Sequence, residues 1–428
     1  MAAQVGGMLI GVVDTMMVGR VSVDALAAAA IANAWIHGLL LMAQGIIWGI
    51  DPIVSQAHGA RRGDLAAEAM QRGALLAIVA SVPVGAALLL TEEALLVLGQ
   101  SEVLAREAER YALVQIPSVP CFLVFMAVRQ WLQGREIVRP GMWVVLVANF
   151  FNAAANYVLI FGAVGIPAMG LVGAGIASGL TRIFTLVALV VWVRAFRLHE
   201  GAWSAPGWHL FDRVEVARIL KVGMAVSIQL ALEIWAFSGS TLLAGLLDPV
   251  SLAAHTIALN LAALSFMMPL GISHGAATRV GNLIGAGERA AAQHAAVVAM
   301  TFGGAVMTVS AVLFVVLRMW LPRIYTGDPD AVLAAAAVLP IAAAFQVFDG
   351  VQVVGCGVLR GMGHTRPAAV FNFVGYWVVG LPLGAALALR LGVGLAGIWY
   401  GLAIGLLLVA TSLVVYIARR GPAHAEPA

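Results

Sequence analysis

Three carboxyl groups sit where charge is hardest to place. Asp14, Glu233 and Asp349 each fall inside a long apolar run. A charged side chain at the centre of a bilayer costs about 3 kcal/mol or more, so such a residue marks an ion path or is tied down by a partner. The competing role is a protonated carboxyl that hydrogen-bonds one helix to another. Glu233 and Asp349 lie in two different runs of the second half of the chain, and Asp14 lies in the first half. Two carboxylates from different helices suit a hard cation such as sodium, which takes oxygen ligands. They equally suit proton exchange, because burial and like charge favour the protonated form. Residue types leave sodium and proton both open.

The other polar residues in apolar runs are fewer. Asn152 and Asn156 are spaced i, i+4 and share a helix face, where they either bond helices together or line a cavity. Arg182, near the middle of its run, requires an acidic or carbonyl partner, and Asp14 in the same half is a candidate. His37, His255 and His274 lack metal-ligand spacing and serve packing or interhelical bonds. Asp51, just before Pro52, is expected near the cytoplasmic mouth, and Glu92, Glu93 and Glu102 in a solvated external loop. Cys121 and Cys356 lie in apolar runs and read as small core residues. No nucleophile–base pair, HExxH or GxxxxGK[ST] pattern occurs, so neither an enzyme nor an ATP-driven pump is expected, and no resident cofactor.

The elements that must position these groups are membrane spans. Of 428 residues, 62% are hydrophobic and 11% charged, with a mean hydropathy of +0.98. A water-soluble domain carries about twice that share of charge. The near balance of 24 Lys+Arg against 21 Asp+Glu gives no basis for nucleic-acid binding. Twelve apolar segments are read at 1–19, 27–50, 73–91, 111–133, 142–162, 170–193, 222–247, 253–277, 292–317, 332–359, 368–389 and 393–417. They are expected to be helices, because a lipid-exposed backbone must satisfy its own hydrogen bonds. The fold class expected is an all-α polytopic membrane protein.

With the N-terminus inside, the cytoplasmic loops hold 17 Arg and Lys residues against 6 outside. The positive-inside rule then puts both termini in the cytoplasm. The chain also repeats. A shift of 226 carries Leu26-Ala27-Ala28 onto Leu252-Ala253-Ala254, and Gly45, Gly49 and Gly59-Ala60 onto Gly271, Gly275 and Gly285-Ala286. A shift of 227 carries Gly134 and Arg139-Pro140 onto Gly361 and Arg366-Pro367. Six spans per half is an even number, so the halves are parallel repeats, an arrangement of secondary transporters. The expected organisation is an N-terminal lobe 1–193, a linker 194–221, a C-terminal lobe 222–417 and a cytoplasmic tail 418–428. The linker, with Trp203, Trp208 and Phe211, is either an interfacial segment on the inner leaflet or an ordinary loop. The first span lacks the basic approach that its counterpart has at Lys221, which suggests a start further upstream. Pro117, Pro120, Pro340 and Pro382 fall in spans, where proline bends helices.

Three segments carry a family resemblance. Val13-Asp14-Thr15-Met16-Met17-Val18-Gly19-Arg20 resembles the first-helix signature of the MATE (multidrug and toxic compound extrusion) family. Asp51-Pro52-Ile53-Val54-Ser55-Gln56-Ala57-His58-Gly59-Ala60 is similar to its second-helix end, and Gly357-Val358-Leu359-Arg360-Gly361 with Thr365-Arg366 to its loop after helix 10. The resemblance implies a twelve-helix antiporter that exports small organic cations or drugs in exchange for sodium or protons by alternating access. It further implies a monomer in the bacterial inner membrane. Glu233 and Asp349 match the cation carboxylates of the NorM-like branch, which would make them the sodium or proton site. Asp14 matches the first-helix aspartate, and Asn152 and Asn156 match polar positions near it. Where NorM-like members can carry a tyrosine, this chain has Phe345, which leaves proton coupling fully open. The alternative is a lipid-linked oligosaccharide flippase of a related class, which would want a more basic cavity than Arg182 alone supplies.

Overall fold

Apolar runs of about 20 residues become helices here, and most helices outrun the apolar stretch that defines them. The computed structural model describes residues 2–163, 165–205 and 207–425. Met1 of the expected first lobe and residues 426–428 of the expected tail lie outside them. The described residues are helical throughout, with turns between, and contain no strand. Twelve long helices follow in order: α1 (Ala2–Val18), α2 (Val23–Gly59), α3 (Gly63–Leu89), α4 (Glu102–Gly134), α5 (Arg139–Phe161) and α6 (Gly170–Ala195). Then come α7 (Arg213–Gly245), α8 (Pro249–Gly285), α9 (Arg289–Val316), α10 (Pro329–Gly361), α11 (Arg366–Arg390) and α12 (Leu395–Arg420). Among the described residues, eleven of these are long and apolar enough to cross a bilayer. The remaining one, α1, has 17 described residues.

The duplication is visible in helix limits. Adding 226 to the ends of α2, Val23 and Gly59, gives the ends of α8, Pro249 and Gly285. Adding 227 to Gly134 and Arg139 gives Gly361 and Arg366, the end of α10 and the start of α11. Even the caps correspond. Ser22 takes the N-cap of α2 with φ −166°, its side chain accepting from the Ala25 N–H. Asp248, 226 positions on, caps α8 with φ −164° and accepts from the Ser251 N–H. A side-chain acceptor at that point satisfies one of the helix's orphan donors.

The chain divides into two compact units, one of residues 2–58 and 62–227, the other of 59–61 and 228 onward. In the first, α4 packs on α3 and α6, α5 on α6, and α1 on α5. In the second, α10 is surrounded by α8, α9 and α12. That enclosure explains why polar side chains along α10, Gln346, Asp349 and Gln352 among them, are buried. Large apolar side chains such as Phe150, Trp208, Leu242 and Val316 lie outward, as lipid contact requires.

Several local features depart from expectation. Glu92, Glu93 and Glu102 do not lie in an open loop. The first two begin a short helix, Thr91–Val97, and Glu102 opens α4. Arg106 gathers Glu102 at 2.6 Å and Glu92 at 3.7 Å, so acidic residues sit at helix starts, where the dipole favours them. Asp51 is buried and accepts from Gln130 Nε2 at 2.6 Å. The seventh helix begins at Arg213, ahead of the apolar stretch from 222, because a charged first turn can extend beyond the hydrocarbon. Between α6 and α7, Trp203, Trp208 and Phe211 are exposed. The segment is tied back by Gln71 Nε2 donating to the Ser204 carbonyl and Arg135 Nη1 to the Leu198 carbonyl, both at 2.7 Å.

Proline has the expected effect in α4: Pro117 falls in a 3-10 turn, Ile116–Ser118, that interrupts the helix, and Pro120 follows at its restart. In α11 the distortion is of another kind. Two stretches, Phe373–Gly380 and Ala386–Arg390, are π-helical and flank Pro382. Glycines make this possible. A Cβ on Gly401 of α12 would collide with backbone atoms of Gly380 and Gly384, and one on Gly405 with Gly375 and Gly380. The helices meet backbone to backbone, as small residues permit in membranes.

Candidate functional site

The second unit brings Glu233 and Asp349 together. On α10, Phe345, Asp349, Gln352 and Cys356 follow i, i+4, i+7, i+11 and so share one face. On α7, Gln229, Glu233 and Phe237 share a face by the same spacing. Glu233 is 7% exposed and Asp349 4%, and they lie close enough to repel one another. The Gln352 amide reaches the Glu233 carboxyl, while Gln352 Nε2 also lies 3.2 Å from Asn372 Oδ1 and 3.8 Å from Cys356 Sγ. No described residue donates a hydrogen bond to Asp349. The site thus holds two buried carboxyls, an amide on Glu233 and, among the described residues, no cation paired with either carboxyl.

Tyr376 and Asn372 join the cluster from α11, and both are fully buried. The Tyr376 hydroxyl lies in the field of both carboxyls, yet has no hydrogen-bond partner among the described residues, and neither has Gln352 Oε1. A π-helical turn widens the backbone and re-aims side chains, and such turns recur at functional sites. Phe237 packs against Phe345 and Tyr376 at centroid distances of 6.0 and 5.8 Å, and Phe345 against Trp399 at 5.9 Å. Phe345 therefore forms an aromatic wall beside the carboxyls. The hydroxyl that its position lacks is present one helix away, at Tyr376. Sequence reasoning missed Tyr376, Asn372 and Gln352. Asn372 and Tyr376, four apart in an apolar run, carried the signal that could have found them.

The first unit holds a different arrangement. Asp14, buried on α1, accepts from Asn156 Nδ2 at 2.5 Å and Ser178 Oγ at 2.8 Å, so each carboxyl oxygen has a donor. Asn156 and Asn152 do share a face of α5: Asn156 Nδ2 also lies 3.2 Å from Asn152 Oδ1, and Asn152 Nδ2 donates to Thr181 Oγ1 at 3.4 Å. Arg182 is not bonded to Asp14. It donates to Ser118 Oγ at 3.3 Å and lies 5.7 Å above the Phe122 ring. The two clusters do not correspond under the repeat: adding 226 to Asp14 gives Ser240, which pairs with His255 Nε2 at 3.2 Å. Subtracting 227 from Asp349 gives Phe122. Duplication supplied the frame, and the two halves filled it with different chemistry.

His255 and His274 take interhelical roles, beside Ser240 and 3.3 Å from Arg360 respectively. Among the described residues no group of three or more His, Cys, Asp or Glu could hold a metal ion. An all-oxygen set such as Glu233, Asp349, Tyr376 and Gln352 is chemically suited to a hard cation or a proton rather than a soft transition metal.

The MatE family model matches residues 1–158 and 225–386, one stretch in each half. A probable multidrug resistance protein NorM from Bradyrhizobium diazoefficiens is 34% identical over 98% of this chain and 92% of its own length. The multidrug resistance protein MdtK of Yersinia pseudotuberculosis is 32% identical over 97% of this chain and 92% of its own. Among solved structures, the eukaryotic MATE transporter AtDTX14 superposes with a TM-score of 0.90 at 20% identity, over 99% of this chain and 94% of that one. An outward-facing MATE transporter of the MOP superfamily gives 0.88 at 17% identity, over 98% and 93%. With twelve helices in two bundles and a family match in each half, the chain belongs to the MATE family, among its NorM-like members.

Proposed function

We propose that this protein exports small organic cations across the bacterial inner membrane in exchange for sodium or protons, with Glu233 and Asp349 as the coupling site. The observation that carries the reading is that pair: two buried carboxyls close enough to repel one another, with an unpartnered hydroxyl and amide oxygen in the same cluster. Such a site is unfavourable when empty and fully charged, and a bound cation or proton relieves it. Binding then favours whichever bundle conformation holds the carboxyls together, and release favours the other. An ion with that differential affinity drives a two-state transporter. The relatives named as multidrug resistance proteins support drugs as the cargo, and no relative favours the flippase alternative.

Asp14, with Asn152 and Asn156, is read as a second polar pocket in the first lobe. The arginine asymmetry of the loops supports cytoplasmic termini. One chain carries both clusters, so a monomer suffices. The test is expression in an efflux-deficient host. The protein should lower accumulation of an ethidium-like cation, and Asp349→Asn should abolish the effect. Unimpaired efflux by that variant at equal protein level would overturn the assignment.

A further inference from the structure

The outward faces of α6 and α7 each run into a cation where the two helices meet their connecting segment. On α6 the exposed side chains Leu180, Ile183, Val187 and Val191 recur at steps of three and four, and the next position of that face is Arg194. On α7 the exposed residues Leu242, Trp235 and Ile228 stand seven apart, and the next in that line is Lys221. One step further the line turns apolar again at Val214, which is 70% exposed. Seven helical residues rise about 10 Å, so apolar surface continues well past the lysine. Phe211 and Trp208 extend it, with ring centroids 6.2 Å apart, and Trp208 is 91% exposed. Phe196 and Trp203 of the same segment are exposed as well. The backbone that carries these rings is pinned. Gln71 and Arg135 hold the Ser204 and Leu198 carbonyls, Ala202 is buried, and a Cβ on Gly63 of α3 would strike the Gly201 carbonyl.

The charges of the segment are unevenly matched. From Arg194 to Lys221 there are five Arg and Lys residues against three Asp and Glu. Arg197 pairs with Glu200 at 3.8 Å and Arg218 with Glu215 at 3.3 Å, whereas among the described residues Arg194, Arg213 and Lys221 have no ion pair. A tryptophan or phenylalanine ring held rigidly in water exposes apolar surface for no return, and the headgroup boundary of a bilayer is where such rings settle. Cations at that depth attract anionic headgroups, each by a factor of about five. We propose that this segment, with the adjoining ends of α6 and α7, is a binding surface for anionic phospholipid of the cytoplasmic leaflet. Arg194, Arg213 and Lys221 face the phosphates, and Trp208 and Phe211 sit at the boundary between headgroups and acyl chains. Apolar contact and charge act together there, the combination that makes an interfacial anchor firm. The surface is separate from the carboxyl pair and does not depend on which ion or cargo that pair serves.

The test places full-length protein in bilayers of phosphatidylcholine and phosphatidylglycerol, with bromine on the acyl chains of one lipid or the other. Bromine quenches tryptophan on contact, and the Trp208 signal is the difference between wild type and Trp208→Phe. Quenching of that signal should show a preference for phosphatidylglycerol of about fivefold or more. The double variant Arg194→Gln, Lys221→Gln should bring the preference close to one while brominated lipid still quenches, and raised salt should weaken the preference in the wild type. Quenching by neither lipid, with free access for aqueous iodide, would make the segment a solvated loop and overturn the proposal. Equal quenching by both lipids in the wild type, or a preference that survives the double variant, would overturn the anionic headgroup. Should a variant fail to fold, hydrogen exchange of the wild-type linker amides decides. Exchange several-fold slower with phosphatidylglycerol present than in phosphatidylcholine alone supports the surface, and equal exchange refutes it.

Discussion

Replacing Tyr376 by phenylalanine separates ion binding from folding, because the two should respond with opposite signs. The ring is fully buried against Phe237, and its hydroxyl has no hydrogen-bond partner among the described residues. A buried polar group left unpartnered costs about 1–3 kcal/mol. Phenylalanine keeps the ring and its packing while removing that cost, so the ion-free protein should gain about 1 kcal/mol or more. On the proposed coupling role of Glu233 and Asp349, the same hydroxyl would be an oxygen ligand to a bound sodium ion. Losing a ligand worth ~1.4 kcal/mol weakens affinity about tenfold. The assay is thermal unfolding in nanodiscs, titrated with sodium at high pH. Tyr376→Phe should raise the apparent Tm without sodium at high pH. It should move the midpoint of the sodium titration about tenfold toward higher sodium concentration. A lowered Tm in the ion-free state, or an unmoved midpoint, would refute the role assigned to the hydroxyl.

Two further outcomes test the frame around the site. Gly401→Ala should destabilise by about 1–3 kcal/mol, because the added methyl meets the backbone of Gly380 and Gly384. Gly275→Ala in α8, with nothing within 4 Å of the new methyl, should instead stabilise by about 0.5–1 kcal/mol, and equal shifts in thermal unfolding would contradict the seam. Asp248, the exposed cap of α8, has its carboxyl held below the ordinary value of 3.8 by hydrogen bonds from Ser251. A depressed folded-state pKa adds stability that is fully present above pH 3.8 and fades as pH falls through the lower value. Asp248→Ala should therefore lower the apparent Tm at neutral pH, by an amount that shrinks in acid below that range. A pH-independent difference would mean that the cap acts without its charge.

The fold was legible in the sequence because a bilayer imposes helices on apolar runs and because duplication left collinear matches such as Gly45/Gly271 and Arg139/Arg366. Helix limits were less legible: polar caps such as Ser22 and Asp248 lie beyond the apolar stretch. The carboxyls Asp14, Glu233 and Asp349 stood out because charge is rare in spans. Their partners did not. Ser178 and Gln352 are ordinary polar residues until the helices meet. Tyr376 is brought in by a π-helical distortion that no spacing rule reveals, since it depends on Gly380 and Gly384 meeting Gly401 across two helices. Arg182 asked for an acidic or carbonyl partner, and the structure answered with Ser118, because the proline-broken turn of α4 lies closer than Asp14.

The central claim is that a sodium or proton gradient does work through Glu233 and Asp349. Transport of an ethidium-like cation into the ion-loaded lumen of proteoliposomes, under a sodium gradient alone and then a proton gradient alone, measures it directly. At least one gradient should drive uptake by the wild-type protein, and neither should drive it in Asp349→Asn or Glu233→Gln. Uptake indifferent to both gradients, or gradient-driven uptake in those variants at wild-type rate, would contradict the account.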